Sequence, residues 1–109
     1  MVYNEELTNR IHTLTKDRGL VEKKMFGGVA FLLNGNMCFG VAKDDLMVRV
    51  GPERYKDALA LTNARPMEIT GRPMKGFVFV NSNGWSKNAT LTKWLEMGID
   101  YASSLPKKK

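Results

Sequence analysis

Residues 24 to 42, KMFGGVAFLLNGNMCFGVA, are apolar at nearly every position, and the run is broken by glycines and one Asn-Gly pair. Such a run could be a catalytic loop, a nucleotide cradle or a piece of sheet. Asn34-Gly35 between two apolar runs is the strongest short hairpin signal. An antiparallel sheet with one wet face alternates apolar and polar residues, and this stretch does not. It therefore specifies two paired strands, about 28 to 33 and 36 to 42, that are apolar on both faces.

The rest of the chain extends this pair. Lys43-Asp44-Asp45 marks a second turn, and LMVRV continues as a third strand over 45 to 50, completing an antiparallel meander. Before the meander, residues 4 to 18 read as a helix. Asn4 is a good N-cap, Glu5 and Glu6 suit the positive end of the dipole, and Gly19 is a good stop. Its apolar stripe is Leu7, Ile11 and Leu14. Gly51-Pro52-Glu53 opens a second helix with Pro52 at the favoured first position, and Tyr55, Ala58, Leu59 and Thr62 line its inner face.

Beyond Pro66, MEI forms a short edge strand bracketed by Pro66 and Pro73. GFVFV is a clear strand, and Asn81 to Gly84 reads as a loop. The last helix starts near Asn88 or Thr90. Leu91, Trp94, Leu95, Gly98, Ile99 and Ala102 keep the spacing of a core-facing helix. Gly98 implies a close packing contact there. The fold class is α+β: an antiparallel sheet packed with three helices, in the order α-β-β-β-α-β(-β)-α. Residues 1–105 form one domain, and 106–109 form a disordered basic tail.

Met25-Phe26-Gly27-Gly28, the Asn34-Gly35 hairpin, the DDLMVRV strand, Arg72-Pro73-Met74, and Leu91 with Trp94 resemble, in that order, the TfoX N-terminal domain family. The resemblance covers about residues 5 to 109. The family takes its name from regulators of bacterial competence genes that carry this domain followed by a second, helical domain. This chain resembles the short stand-alone members. The resemblance implies a compact α+β fold and brings no catalytic motif or cofactor with it.

Composition excludes several classes of function. At 109 residues, 43% apolar and 26% charged, the chain fits one globular domain. The net charge is +6, and three of the terminal lysines, Lys107 to Lys109, supply half of it. That charge permits attraction to nucleic acid or acidic lipid without requiring it. One cysteine leaves no internal disulfide or cysteine metal cluster, and one histidine excludes multi-histidine zinc motifs. The acidic start MVYNEEL is unlike a signal peptide. No apolar run approaches the roughly 20 residues that span a bilayer. The expected compartment is the cytoplasm, where a free thiol stays reduced.

Among candidate chemistries, Phe26-Gly27-Gly28 offers backbone amides to a phosphate but lacks the Lys-Ser/Thr of a P-loop, so a bend into the sheet is the simpler reading. Cys38 lies mid-strand, opposite Arg49 if the turn is Lys43-Asp44, and a nearby cation lowers a thiol pKa. Its only possible imidazole base, His12, lies on the first helix. A thiol-dependent enzyme centred on Cys38 is thus the third reading of function, set below the others because an apolar strand raises the thiol pKa and keeps Cys38 inert.

Arg65, Arg72, Lys75 and Lys87, with Lys23 and Lys24, are candidate nucleic-acid contacts, and Phe77 or Trp85 are candidate stacking partners. With the lysine tail they define the alternative function, a weak nucleic-acid binder. No helix-turn-helix, RRM or KH signature accompanies them. The carboxylates offer no acid/base pair.

The two apolar faces carry the leading expectation. With two-residue turns at Asn34-Gly35 and near Asp44, Leu32 pairs with Met37 and Phe31 with Cys38. One face then carries Ala30, Leu32, Met37, Phe39, Val41, Leu46, Val48 and Val50 and suits the helices. The other carries Val29, Phe31, Leu33, Cys38, Gly40, Ala42, Met47 and Arg49. This second face predicts a homodimer centred on Phe31, with Val29, Leu33, Met47 and Arg49 around it. The alternative cover is a helix of the same chain. The expected function is a non-enzymatic regulatory or protein-interaction module.

Overall fold

Asn34 and Gly35 take φ values of 54° and 82°, the pair of positive angles that a tight two-residue hairpin needs. The computed structural model describes residues 4–25, 28–61, 63–69 and 72–106, with the side chains of 25, 67–69 and 72–75 left aside. The turn joins β2 (Gly28–Leu33) to β3 (Asn36–Ala42), and Lys43-Asp44 joins β3 to β4 (Asp45–Arg49), as the sequence predicts. A strand that the sequence does not announce, β1 (Val21–Met25), adds to β2. Its sequence, VEKKM, is mostly charged, as suits an edge strand with one neighbour. Lys23 and Lys24 also discourage pairing with a further strand.

After β4 the chain forms α2 (Pro52–Leu59), then β5 (Ala64–Ile69) and β6 (Arg72–Val80). β6 pairs with β4 and leaves β5 outside, so the sheet has six antiparallel strands in the order β1-β2-β3-β4-β6-β5. Pro66 falls in β5, on the edge, where a missing N–H is tolerated. The expected edge strand is thus real but begins at Ala64, ahead of Pro66.

α1 (Glu5–Thr15) is capped by Asn4, whose side chain accepts from the Leu7 N–H at 2.8 Å. It stops three residues short of the expected end. Leu7 and Ile11 are buried, but Leu14 is 37% exposed and is not part of the core-facing stripe. The predicted loop after β6 is instead a single helical turn, α3 (Ser82–Trp85), capped by the Asn81 side chain. α4 (Asn88–Ser103) buries all six residues of its predicted stripe. A Cβ on Gly98 would lie 2.4 Å from the Cys38 carbonyl oxygen, so glycine is what lets α4 rest on β3. The Pro106 carbonyl accepts from Asn36 Nδ2 at 2.9 Å. Lys107 to Lys109, Thr62, Phe26 and Gly27 lie outside the described residues.

The register of β2 against β3 corrects the expected faces. Leu33 pairs with Asn36 and Leu32 with Met37, as a two-residue turn dictates, but Phe31 then pairs with Phe39. Cys38 is the extra residue of a β-bulge. One inserted residue reverses the parity of everything between the bulge and the far end of β2. Val29 and Phe31 move to the face of Phe39 and Val41, and Ala30 moves to the face of Gly40.

Candidate interaction surface

Cross-strand pairs run unbroken over all six strands and sort the side chains into two faces, because neighbours along a strand point to opposite sides. One ladder is Glu22–Phe31–Phe39–Val48–Val78–Pro66, and the ladder two residues along is Lys24–Val29–Val41–Leu46–Val80–Ala64. Their buried members form one cluster with Leu7 and Ile11 of α1, Ala58 of α2, Trp85 of α3 and the α4 stripe. The described helices therefore share this face. Between the two ladders lies a third, Lys23–Ala30–Gly40–Met47–Phe79–Arg65, which points the other way. Beside it on that side are the pairs Leu32–Met37 and Arg49–Phe77. None of these residues belongs to the helix-packed cluster.

This second face is apolar and has a small-residue centre. Met47 folds over Gly40, where an added Cβ would come within 2.9 Å of its Cε, and is only 6% exposed. Leu32, Met37, Phe77 and Phe79 are half-buried, with the remainder of each open to solvent. The charges at the rim are largely engaged. Arg65 bonds Asp45 at 2.6 and 3.4 Å and lies 5.0 Å over the Phe79 ring. Arg49 lies 5.5 Å from the Phe77 ring and 5.3 Å from that of Tyr101 on α4.

Of the five residues expected at the interface, Met47 and Arg49 are on this face. Val29, Phe31 and Leu33 are not. Phe31 is 2% exposed, wedged between the His12 ring at 5.2 Å and the Phe39 ring at 5.5 Å. It cannot centre a surface contact. The parity reversal at Cys38 replaces it with Leu32 and Met37, and β6 adds Phe77 and Phe79 opposite Arg49 and Met47. No residue in the sequence marks such a bulge. Its only trace is that Phe31 and Phe39, two large rings on facing strands, both require burial.

The candidate chemical groups do not converge. Burial pushes the Cys38 thiol up to about 11, against a smaller lowering from a backbone hydrogen bond at Leu33 and from the charges of Arg49 and Arg18. The thiol Sγ faces the Asn36 carbonyl at 3.9 Å. Cys38 is fully buried, and pairing of β3 with β4 ends at Phe39–Val48, one position before the anticipated Cys38–Arg49 contact. His12 instead pairs with Glu22.

Arg65 stands at one end of the third ladder and Lys23 at the other, five strand spacings or about 24 Å apart. Lys87 precedes α4 in the helix layer, while the Arg72 and Lys75 side chains lie outside the described ones. Trp85 is buried and donates its Nε1 hydrogen to the Asp44 carbonyl at 3.0 Å, with Arg10 stacked on its ring, so it is not open to a base. Four carboxylates, those of Glu22, Asp45, Glu96 and Asp100, each face a cationic or imidazole partner. No described helix is long and apolar enough to cross a membrane.

The sequence pattern of the TfoX N-terminal domain matches residues 13–102, which takes in every strand and nearly all of α4. No curated protein and no solved structure matches the chain.

Proposed function

The chain belongs to the TfoX N-terminal domain family, and on that premise we propose that it is a non-enzymatic regulatory or protein-interaction module of the cytoplasm, working as a homodimer whose two sheets meet across their helix-free faces. The observation that supports this is the third ladder. It is a sheet face with an apolar body and an Ala30-Gly40 centre under Met47, outside the helix-packed cluster and meeting α4 only at the Arg49–Tyr101 corner among the described residues. An antiparallel sheet that meets water normally turns a polar face outward.

The ladder is about 24 Å wide and its strands about 17 to 30 Å long. Two such footprints bury on the order of 1,000 Å², the lower bound for a specific interface. Met47 already covers the small central residues, so the half-buried Leu32, Met37, Phe77 and Phe79 supply the contacts. The non-enzymatic part is supported by the buried Cys38 thiol, whose pKa burial raises, and by the pairing of four carboxylates with basic side chains.

Light scattering after size exclusion tests the dimer. The wild type is expected at twice the chain mass at micromolar concentration, and Phe79→Glu at one chain mass with an unchanged far-UV spectrum. A monomeric wild type at tens of micromolar overturns the dimer.

A further inference from the structure

Away from the sheet face, a cleft of about 400 Å³ opens in the helix layer between the end of α2, the turn at Asn63, α3 and α4. Trp94 and Met97 line it from α4. Leu61, one of three large apolar residues exposed among those described, stands 45% open at its edge. Lys87 and Lys93 flank it, and no carboxylate lines it. Neither lysine takes part in an ion pair among the described residues.

The cleft is preformed. Asn63 holds φ at 74°, a conformation asparagine tolerates better than most residues. Its carbonyl accepts from the Asn81 N–H at 3.1 Å, and Gly84 packs against its side chain. A cleft of similar size between the start of α2 and the end of α4 differs in charge: it carries Glu53, Arg54 and Asp100, with Arg54 and Asp100 3.8 Å apart. The Leu61–Trp94 cleft, unlike that one, joins an apolar lining to lysines with no ion pair among the described residues.

We propose that this cleft receives an acidic peptide segment of a partner protein. One large apolar side chain of the peptide packs on the exposed parts of Leu61 and Met97, above the buried Trp94, and flanking carboxylates meet Lys87 and Lys93. The positive end of the α4 dipole, just after Lys87, adds attraction of the same sign. Nucleic acid fits the cleft less well, because Trp94 is 3% exposed and presents no open ring for a base.

The proposal is tested by titrating the protein at low salt with a seven-residue peptide of one central Leu flanked by three Glu on each side. Binding is followed by Trp fluorescence and by amide chemical shifts. The shifts are expected to move at Leu61, Lys93 and Met97. Replacing the central Leu by Ser is expected to weaken binding about tenfold, the scale of one buried apolar side chain. The Lys87→Glu, Lys93→Glu double variant, altered only at exposed positions, is expected to weaken it at least as much and to abolish its salt dependence.

No binding at millimolar peptide overturns the proposal. So does affinity that the double charge reversal leaves unchanged, a shift pattern confined to the helix-free sheet face, or binding in the cleft of a single-stranded oligonucleotide but not the peptide. A monomeric protein that binds the peptide here would end the dimer reading and leave this one standing.

Discussion

Phe31 and Phe79 are both phenylalanines set in antiparallel strands of one sheet, and both sit in ladders that cross all six strands. Phe31 is sealed between His12 and Phe39 beneath the helix layer. Phe79, on the opposite face, remains half-buried under a single guanidinium, that of Arg65. Residue type does not separate the two positions. What separates them is the side of the sheet on which α1 and α4 lie, together with one bulged residue that decides which side chains of β2 meet them. Apolarity alone says that a face needs cover, whereas parity says which cover it receives.

The widest test of this contrast is truncation of each ring. Phe31→Ala removes a fully packed side chain and is expected to cost about 3–5 kcal/mol in urea unfolding. Phe79→Ala is expected to cost on the order of 1 kcal/mol in the monomer. Equal losses would mean that the second face is packed within the chain. Next comes the bulge itself. The Cys38 thiol has a folded pKa raised from 9.0 to about 11, so the fold disfavours the thiolate. Its stabilising effect is therefore fully present below the unfolded pKa and is lost as pH rises from about 9 through 11. The stability difference between wild type and Cys38→Ala is expected to shrink over that window by on the order of 2 kcal/mol. A constant difference would mean that Cys38 is not buried. Alkylation of the folded wild type at neutral pH is expected to be slow for the same reason.

A smaller effect reports on how closely α4 lies on the core face. Alanine normally improves a helix by about 1 kcal/mol over glycine. At Gly98 the new methyl would meet the Cys38 carbonyl, so Gly98→Ala is expected to destabilise by about 1–2 kcal/mol net. A gain in melting temperature would show that the helix stands off the sheet. The smallest effect is at the rim of the other face. Arg65→Ala removes an exposed ion pair with Asp45 and is expected to change monomer stability by less than about 0.5 kcal/mol.

The elements read from the chain most securely are those whose signal is local. Asn34-Gly35 fixes a turn by its φ angles, Pro52 begins a helix, and the Leu91-to-Ala102 spacing marks a buried stripe. All three stand in the structure as expected. β1 escaped because an edge strand is half solvated and its VEKKM sequence carries no apolar alternation. α3 escaped because one helical turn is too short to show a period. The two faces were legible as apolar but were assigned wrongly beyond Cys38. A bulge is a negotiation between two strands and the layer above them, and it leaves no residue type behind. The same bulge carries Phe31 out of the expected interface and Leu32 and Met37 into it, while Phe77 and Phe79 needed the pairing of β6 with β4, which the sequence does not specify.

One consequence of the chain order concerns the time before the fold is complete. α4, which supplies most of the cover for β2, β3 and β4, follows every strand in the sequence. As the chain leaves the ribosome, the meander can pair locally within moments, because its turns close short loops. β6 and then α4 arrive later. Through that interval the nascent sheet has only α1 and α2 on its Phe39 side, and much of that side is as adhesive as its Phe79 side. A chain of this design depends most on prompt completion, or on a chaperone's temporary shelter, at the stage when its last helix is still inside the exit tunnel.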